Sequence, residues 1–322
     1  MSSDGRVSVR HLGSGKYGDV FCVKDHTCAA AMKVSYYRDS TLRQVAACVY
    51  RGDLQGALRA KKEDAISVSS KFARFTTRLL HSVSPHFVYV YADFDCDGLA
   101  ERLRNFLVTR LAELTPAQRR HTNVCFMERF DTSLTQYLVS CPVLADAVLR
   151  SLVFQVLYTL QCLHRLLPGF RHNDLSTNNV LARHVSNGVT AAYSVGPRQY
   201  RVYRVPVLIA ITDYDFVHVP NHPSLSNERI LSGKYSHMDP SSNPSYDAHL
   251  FLSSVARCLR RRTDTTAFES FFKFVTPLLV PGTDRLTSFQ ARCTPSALLQ
   301  DPYFAPLERQ HHHGTVPRYI CP

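Results

Sequence analysis
The chain has no run approaching the roughly 18 consecutive apolar residues that a membrane span requires. Its opening, MSSDGRVSVR, is polar and carries no apolar signal core, so a soluble, non-secreted protein is expected. The ten cysteines include no C-x-x-C pair and sit mostly among apolar neighbours, which argues for reduced core thiols and against a disulfide frame or a zinc site. The run His311 to His313 reads as a solvated tail. No helix-turn-helix, zinc-finger or RNA-binding signature is present, so nucleic-acid binding is not expected. Internal repeats and low-complexity linkers are absent as well.

What is present is a chain of 322 residues, 45% of them apolar, enough for one large domain or two lobes with a sizeable core. Lysine and arginine number 38 against 26 acidic residues, a formal charge of +12 whose field attracts anionic partners such as nucleotides or acidic proteins. Clusters such as Arg260, Arg261 and Arg262 read as solvated faces.

Residues 5 to 34 alternate short strand-like runs with turn residues, the pattern of a β-meander. From about Lys61 to His81 apolar residues recur at helical spacing, and Pro85 follows the expected helix end. HFVYVYADF and TNVCFMERF return to strand composition. Between them lies an arginine-rich insertion, about residues 97–122, with a helix expected to end before Thr115-Pro116. After Pro142 a strongly apolar helix runs to Pro168-Gly169 and opens a helical region that includes YDAHLFLSSVARCLRR and SALLQDPYF. The expected architecture is α+β and bilobal: a β-rich lobe over 1–131, a mainly helical lobe over 132–306, and a tail over 307–322.

Four motifs carry chemistry. LGSGKYGDVF places Gly13, Gly15 and Gly18 between two strands, where glycines let a backbone approach phosphates. A strand rather than a helix follows, which disfavours a dinucleotide fold. Lys33 in AAAMKV stands one strand later, placed to neutralise phosphates. In RHNDLSTNNVL, Asp174 can orient a hydroxyl and accept its proton, and Asn179 can offer an amide oxygen to Mg²⁺. Asp213, in ITDYDF after an apolar strand, is a second candidate ligand for that ion.

In this order the four motifs, with Tyr246-Asp247 opening a later helix, resemble the protein kinase superfamily from about residue 7 to Phe304. H-N-D-L with N-N, D-Y-D-F, Y-D-A-H-L-F-L and a tyrosine-bearing hairpin from Tyr193 to Val205 are similar to the divergent serine/threonine kinases of large DNA viruses, of poxvirus, iridovirus and fish herpesvirus type. The resemblance implies ATP and Mg²⁺ as cofactors. Leu12, Gly13, Ser14, Gly15, Lys16, Tyr17, Gly18, Val20 and Lys33 would line the nucleotide, with Met127 as gatekeeper and Glu128 and Phe130 facing adenine. Asn179 and Asp213 would bind the metal. It also implies protein substrates phosphorylated on serine or threonine, acidic or viral structural proteins among the candidates, and a location in the infected host cell, cytoplasm or nucleus, or in the virion.

Departures from the kinase pattern set further expectations. Asn173 replaces the arginine that pairs with a phosphorylated activation loop in many kinases, so no activating phosphorylation is expected. Ser176 replaces a common lysine, and Asp215 replaces the glycine of D-F-G. No A-P-E triplet occurs, and Met238-Asp239-Pro240 is only an approximate stand-in. The helix glutamate that would pair with Lys33 should fall near Thr76, yet the nearest acid is Glu63, assigned here at the helix start. Two alternatives to an active protein kinase stay open: a kinase-fold scaffold that binds nucleotide or partners without turnover, and a kinase-like transferase acting on a small molecule.

Overall fold
The computed structural model describes residues 7–227, 230, 243–279, 294–308 and 316–321. Met238-Asp239-Pro240, Cys293 and the His311 to His313 run lie outside the described residues. The chain divides into two compact units, Met1–Thr77 with Val88–Arg129, and Arg78–Phe87 with Phe130–Pro322. Among the described residues no helix is long and apolar enough to cross a membrane.

The first unit is built on a five-stranded antiparallel sheet in the order β1-β2-β3-β5-β4. Its strands are β1 (Ser8–Ser14), β2 (Gly18–Lys24), β3 (Ala29–Tyr36), β4 (Val90–Asp97) and β5 (His121–Glu128). Strand alternation gives the sheet two faces. One carries Phe21, Met32, Val34, Tyr36 and Val124, and the segment between β4 and β5 covers it with Ala100, Leu103, Leu107 and Leu114. Each large apolar side chain buried there stabilises the unit by about 1.5–3 kcal/mol.

That covering segment is the arginine-rich insertion. Instead of the one helix expected, it forms three short ones: α4 (Leu99–Arg102), α5 (Val108–Glu113) and α6 (Pro116–Arg120). Thr115 and Gln118 form a capping box that begins a new helix at Pro116, where the pattern suggested only a stop.

Between β3 and β4 lie α1 (Asp39–Tyr50), α2 (Leu54–Lys62) and α3 (Ala65–Phe75). The expected helix from Lys61 thus starts later. Asp64 caps α3, accepting from the Ile66 N–H at 3.0 Å and from Thr41 Oγ1 of α1 at 2.6 Å. Glu63 is therefore the exposed C-cap of α2 and lies outside α3, a correction to its assignment at the helix start. Thr76 follows α3, fully buried, its hydroxyl donating to the Ala73 carbonyl.

The second unit centres on α8 (Asp146–Leu166), which follows α7 (Leu134–Ser140); every residue of α8 from Ser151 to Leu163 is buried. A short strand, β6 (Thr132–Ser133), pairs with β7 (Val180–Val195), which forms a long antiparallel hairpin with β8 (Arg198–Ile211). β9 (Arg318–Ile320) adds to β7 in parallel. The expected hairpin at Tyr193 to Val205 is the outer half of this ribbon. Its Tyr193 and Tyr200 rings lie 5.4 and 4.8 Å from Phe154 of α8. The next helix, α9 (Tyr246–Leu259), is also deeply buried.

The arginine cluster is not a uniformly solvated face. Arg262 forms a bidentate pair with Asp264 and donates to the Leu138 and Cys141 carbonyls at 2.8 Å each, satisfying the C-terminal end of α7. Of the cysteines described, Cys22, Cys48, Cys125, Cys162, Cys258 and Cys321 are buried, and Cys28 is exposed.

Candidate active site
In the first unit the glycine motif is the turn between β1 and β2, closed by the Gly15 N–H donating to the Gly18 carbonyl at 2.7 Å. Leu12, Gly13, Ser14, Gly15 and Lys16 are exposed and Tyr17 is half-buried, with the Lys16 ammonium 5.2 Å from the Tyr17 ring centre. The three glycines differ in cause. A Cβ on Gly18 would meet the Val34 carbonyl oxygen at 2.5 Å, so the sheet itself demands glycine there. At Gly13 a Cβ would meet nothing within 4 Å, and at Gly15 only the Gly18 oxygen at 3.7 Å. Packing does not explain those two glycines, whereas a ligand seated against the backbone would.

Lys33 is half-buried on β3, in register with Val20 of β2 on one side and Cys125 of β5 on the other. By the same alternation Met127 lies on their face, opposite the one the insertion covers. The Glu128 N–H donates to the Tyr89 carbonyl at 2.7 Å and is not offered to a ligand. Phe130 belongs to the second unit, where it is buried with the Arg183 guanidinium 5.2 Å from its ring.

No residue of α3 is acidic. A largely buried side chain on the face of Lys33 is Asp93 of β4, paired with Cys125 in the same cross-strand row. Asp93 accepts from Ser70 Oγ of α3 and from Asn123 Nδ2 at 2.9 Å, with Arg74 Nε at 3.5 Å. Burial pushes the Cys125 thiol up to about 12, helped by the Asp93 charge and opposed by that of Lys33. Nothing in the sequence pattern singles out Asp93, since β4 carries several acids in alternation.

In the second unit the loop of Asp174 is held from several sides. Asp247, fully buried at the start of α9, accepts from the backbone N–H groups of His172 at 2.7 Å and Asn173 at 2.9 Å. Two turns along the same helix, Ser254 Oγ accepts from the Thr177 N–H at 2.9 Å. The buried Arg171 guanidinium stacks 4.2 Å from the Tyr246 ring centre. Between these anchors Asp174 is exposed, and Asn179 Nδ2 donates to its carbonyl at 2.7 Å and its carboxylate at 3.1 Å. That bond orients the Asp174 carboxylate and uses the amide nitrogen of Asn179, not its side-chain oxygen.

Asp213 stands two residues past the end of β8. Its segment is tied to the Asp174 loop by the Thr212 N–H donating to the Asn179 carbonyl and by His172 Nε2 donating to the Thr212 carbonyl, each at 3.0 Å. Beyond it, Asn173 Nδ2 donates to the Phe216 carbonyl at 2.8 Å and Asn227 Nδ2 to the Asp215 carbonyl at 2.7 Å. Arg171 and His218 exchange backbone bonds at 2.8 Å. Burial and the Arg171 charge lower the basicity of His218.

Among the described residues four non-glycines adopt positive φ, and two are Asn173 (65°) and Asp213 (67°), a backbone state that costs of order 1–3 kcal/mol. The strain falls on the two motifs read as chemical, where the surrounding bonds over-determine it. The second unit thus brings Asp174, Asn179 and Asp213 into one braced constellation of two carboxylates and an amide, hard oxygen donors suited to Mg²⁺. The role of Asp247 was not assigned from sequence, although an acid opening an otherwise apolar helix was its signal.

No family model matches the chain. A curated protein of Acanthamoeba polyphaga mimivirus, provisionally named a serine/threonine-protein kinase, is 28% identical over 110 residues, which is 32% of this chain and 23% of that protein. The match therefore spans less than a quarter of the relative's length. A crystal structure of a kinase domain matches with a TM-score of 0.40 at 12% identity, covering 69% of this chain and 55% of that one. In sequence the chain is similar to protein kinases of viral type.

Proposed function
With that likeness as premise, we propose that the chain is an ATP- and Mg²⁺-dependent protein kinase that transfers the γ-phosphate to serine or threonine hydroxyls of proteins in the infected cell. The observation that carries this reading is the braced group of Asp174, Asn179 and Asp213. The open space above Gly13 and the absence of any close contact at Gly15 fit a phosphate against the turn, and Lys33 on β3 supplies positive charge. Met127, on the face of Lys33, remains the candidate for the purine side, whereas the Glu128 N–H is already bonded to Tyr89 and Phe130 is buried in the other unit.

Asn179 and Asp213 would hold Mg²⁺, which when bound neutralises charge on the phosphates. Asp174 orients the substrate hydroxyl and accepts its proton as the oxygen bonds to the γ-phosphorus and the bond to the ADP oxygen breaks. Asn179 keeps the Asp174 carboxylate aimed through its amide bond. The Asn173 bond to Phe216 supports a loop assembled without a phosphate, so phosphatase treatment should leave activity intact.

A second reading, a nucleotide-binding scaffold without turnover, is favoured by one observation: no residue of α3 is acidic, so the helix glutamate of the kinase pattern has no counterpart there. Transfer of label from γ-labelled ATP to casein, a basic protein and the enzyme itself separates the two. Loss of transfer in both Asp174→Ala and Lys33→Met, with label on serine or threonine, supports the kinase. ATP binding without transfer by the wild type would establish the scaffold.

A further inference from the structure
The glycine turn is not free-standing. Asp19, next to Gly18, points away from the face of Lys33 and is fully buried under the insertion. Its carboxylate accepts from Tyr36 Oη at 2.7 Å and from Ser14 Oγ of the turn. His11 Nε2 and Arg110 Nε each approach it to 3.4 Å. Arg110 lies on α5 of the insertion; its guanidinium also donates to the Gly15 carbonyl and to Glu113 at 3.1 Å. One arginine from a distant segment therefore grips both the tip of the turn and the carboxylate at its base.

We propose that Arg110 is a positioning residue for the glycine turn: with Asp19 it holds Ser14 and Gly15 in the shape that receives the nucleotide phosphates, so that nucleotide affinity depends on the insertion. The proposal rests on the kinase reading above. A glycine-rich turn between strands has many backbone states to lose, and a ligand that must order it binds more weakly. A fork-shaped guanidinium fixing a carbonyl and a buried carboxylate removes that freedom beforehand. Burial and the Asp19 charge also keep the Tyr36 phenol protonated as a donor, so the carboxylate stays anchored from the sheet side. The insertion's apolar contacts with the sheet serve stability, whereas its arginine serves the turn.

The test compares Arg110→Ala with Leu111→Ala, which trims the neighbouring side chain packed on the same core without touching the turn. Hydrogen exchange at the amides of residues 15–17, ATP affinity by calorimetry, kcat at saturating ATP, and Tm are measured for each. Arg110→Ala should speed exchange in the turn and weaken ATP binding about tenfold, the effect of one charge-assisted hydrogen bond, with kcat at saturation within about twofold. Arg110→Lys, which lacks the fork, should recover only part of the affinity. Leu111→Ala should lower Tm and leave exchange and affinity as in the wild type. Unchanged exchange in Arg110→Ala, or the same affinity loss in Leu111→Ala, would overturn the proposal. Failure of the wild type to bind ATP would remove the kinase reading and the affinity claim together, and would be recognised because exchange in the turn still responds to Arg110.

Discussion

Asp247→Asn is the most incisive single change. The carboxylate accepts two backbone N–H groups of the loop before Asp174, one on each oxygen. An amide can accept only one of them and turns its NH₂ towards the other, leaving a buried donor unpaired at a cost of about 1–3 kcal/mol. The loss falls where the backbone is already strained, since Asn173 sits at φ 65°. About 3 kcal/mol against the ordered loop, at about 1.4 kcal/mol per factor of ten, reduces the population with Asp174 in place roughly a hundredfold. The expected outcome is a kcat fall of that order with ATP affinity little changed, since both N–H groups bonded to the altered carboxylate belong to the Asp174 loop. Faster hydrogen exchange at the amides of His172 and Asn173 should accompany it. An Asp247→Asn protein with wild-type kcat and wild-type protection of those amides would refute the reasoning.

Glycine substitutions should separate fold from function. Gly18→Ala forces its methyl against the Val34 carbonyl and should lower stability by about 1–3 kcal/mol in a denaturant melt. Gly13→Ala should leave stability within about 0.5 kcal/mol and weaken ATP binding, because only a ligand fills that space. The acid limb of stability should carry the mark of His86, which is fully buried between the Ile209 carbonyl and Tyr193 Oη. Burial lowers it from 6.5 to about 4, with the charge of His81 adding to the effect. The folded state holds it neutral, so its contribution is complete above pH 6.5 and is lost as pH falls through about 4, about 3 kcal/mol in all. Burial also lowers His164 and His218, adding to the same slope. Melts from pH 7 to pH 4 should show His86→Gln with a shallower slope than the wild type; equal slopes would count against this account.

The amino-acid order by itself determined the elements whose signal is local. Alternation and turn residues mark β1, β2 and β3, and an apolar run stopped by Pro168-Gly169 marks α8. The spacing within RHNDLSTNNVL sets Asn179 within reach of Asp174, because five residues across a short turn leave few other arrangements. Tertiary structure decided what depends on partners far along the chain. Glu63 lost the helix start to Asp64 because Thr41, 23 residues earlier, reinforces that cap. Asp247 meets His172 across 75 residues, and Arg110 meets Gly15 across 95. No window of sequence contains both ends of such a bond, so no periodicity can announce it. The insertion shows the same division: its apolar residues were visible, but that they close the second face of the sheet follows only from which strands the chain pairs around them.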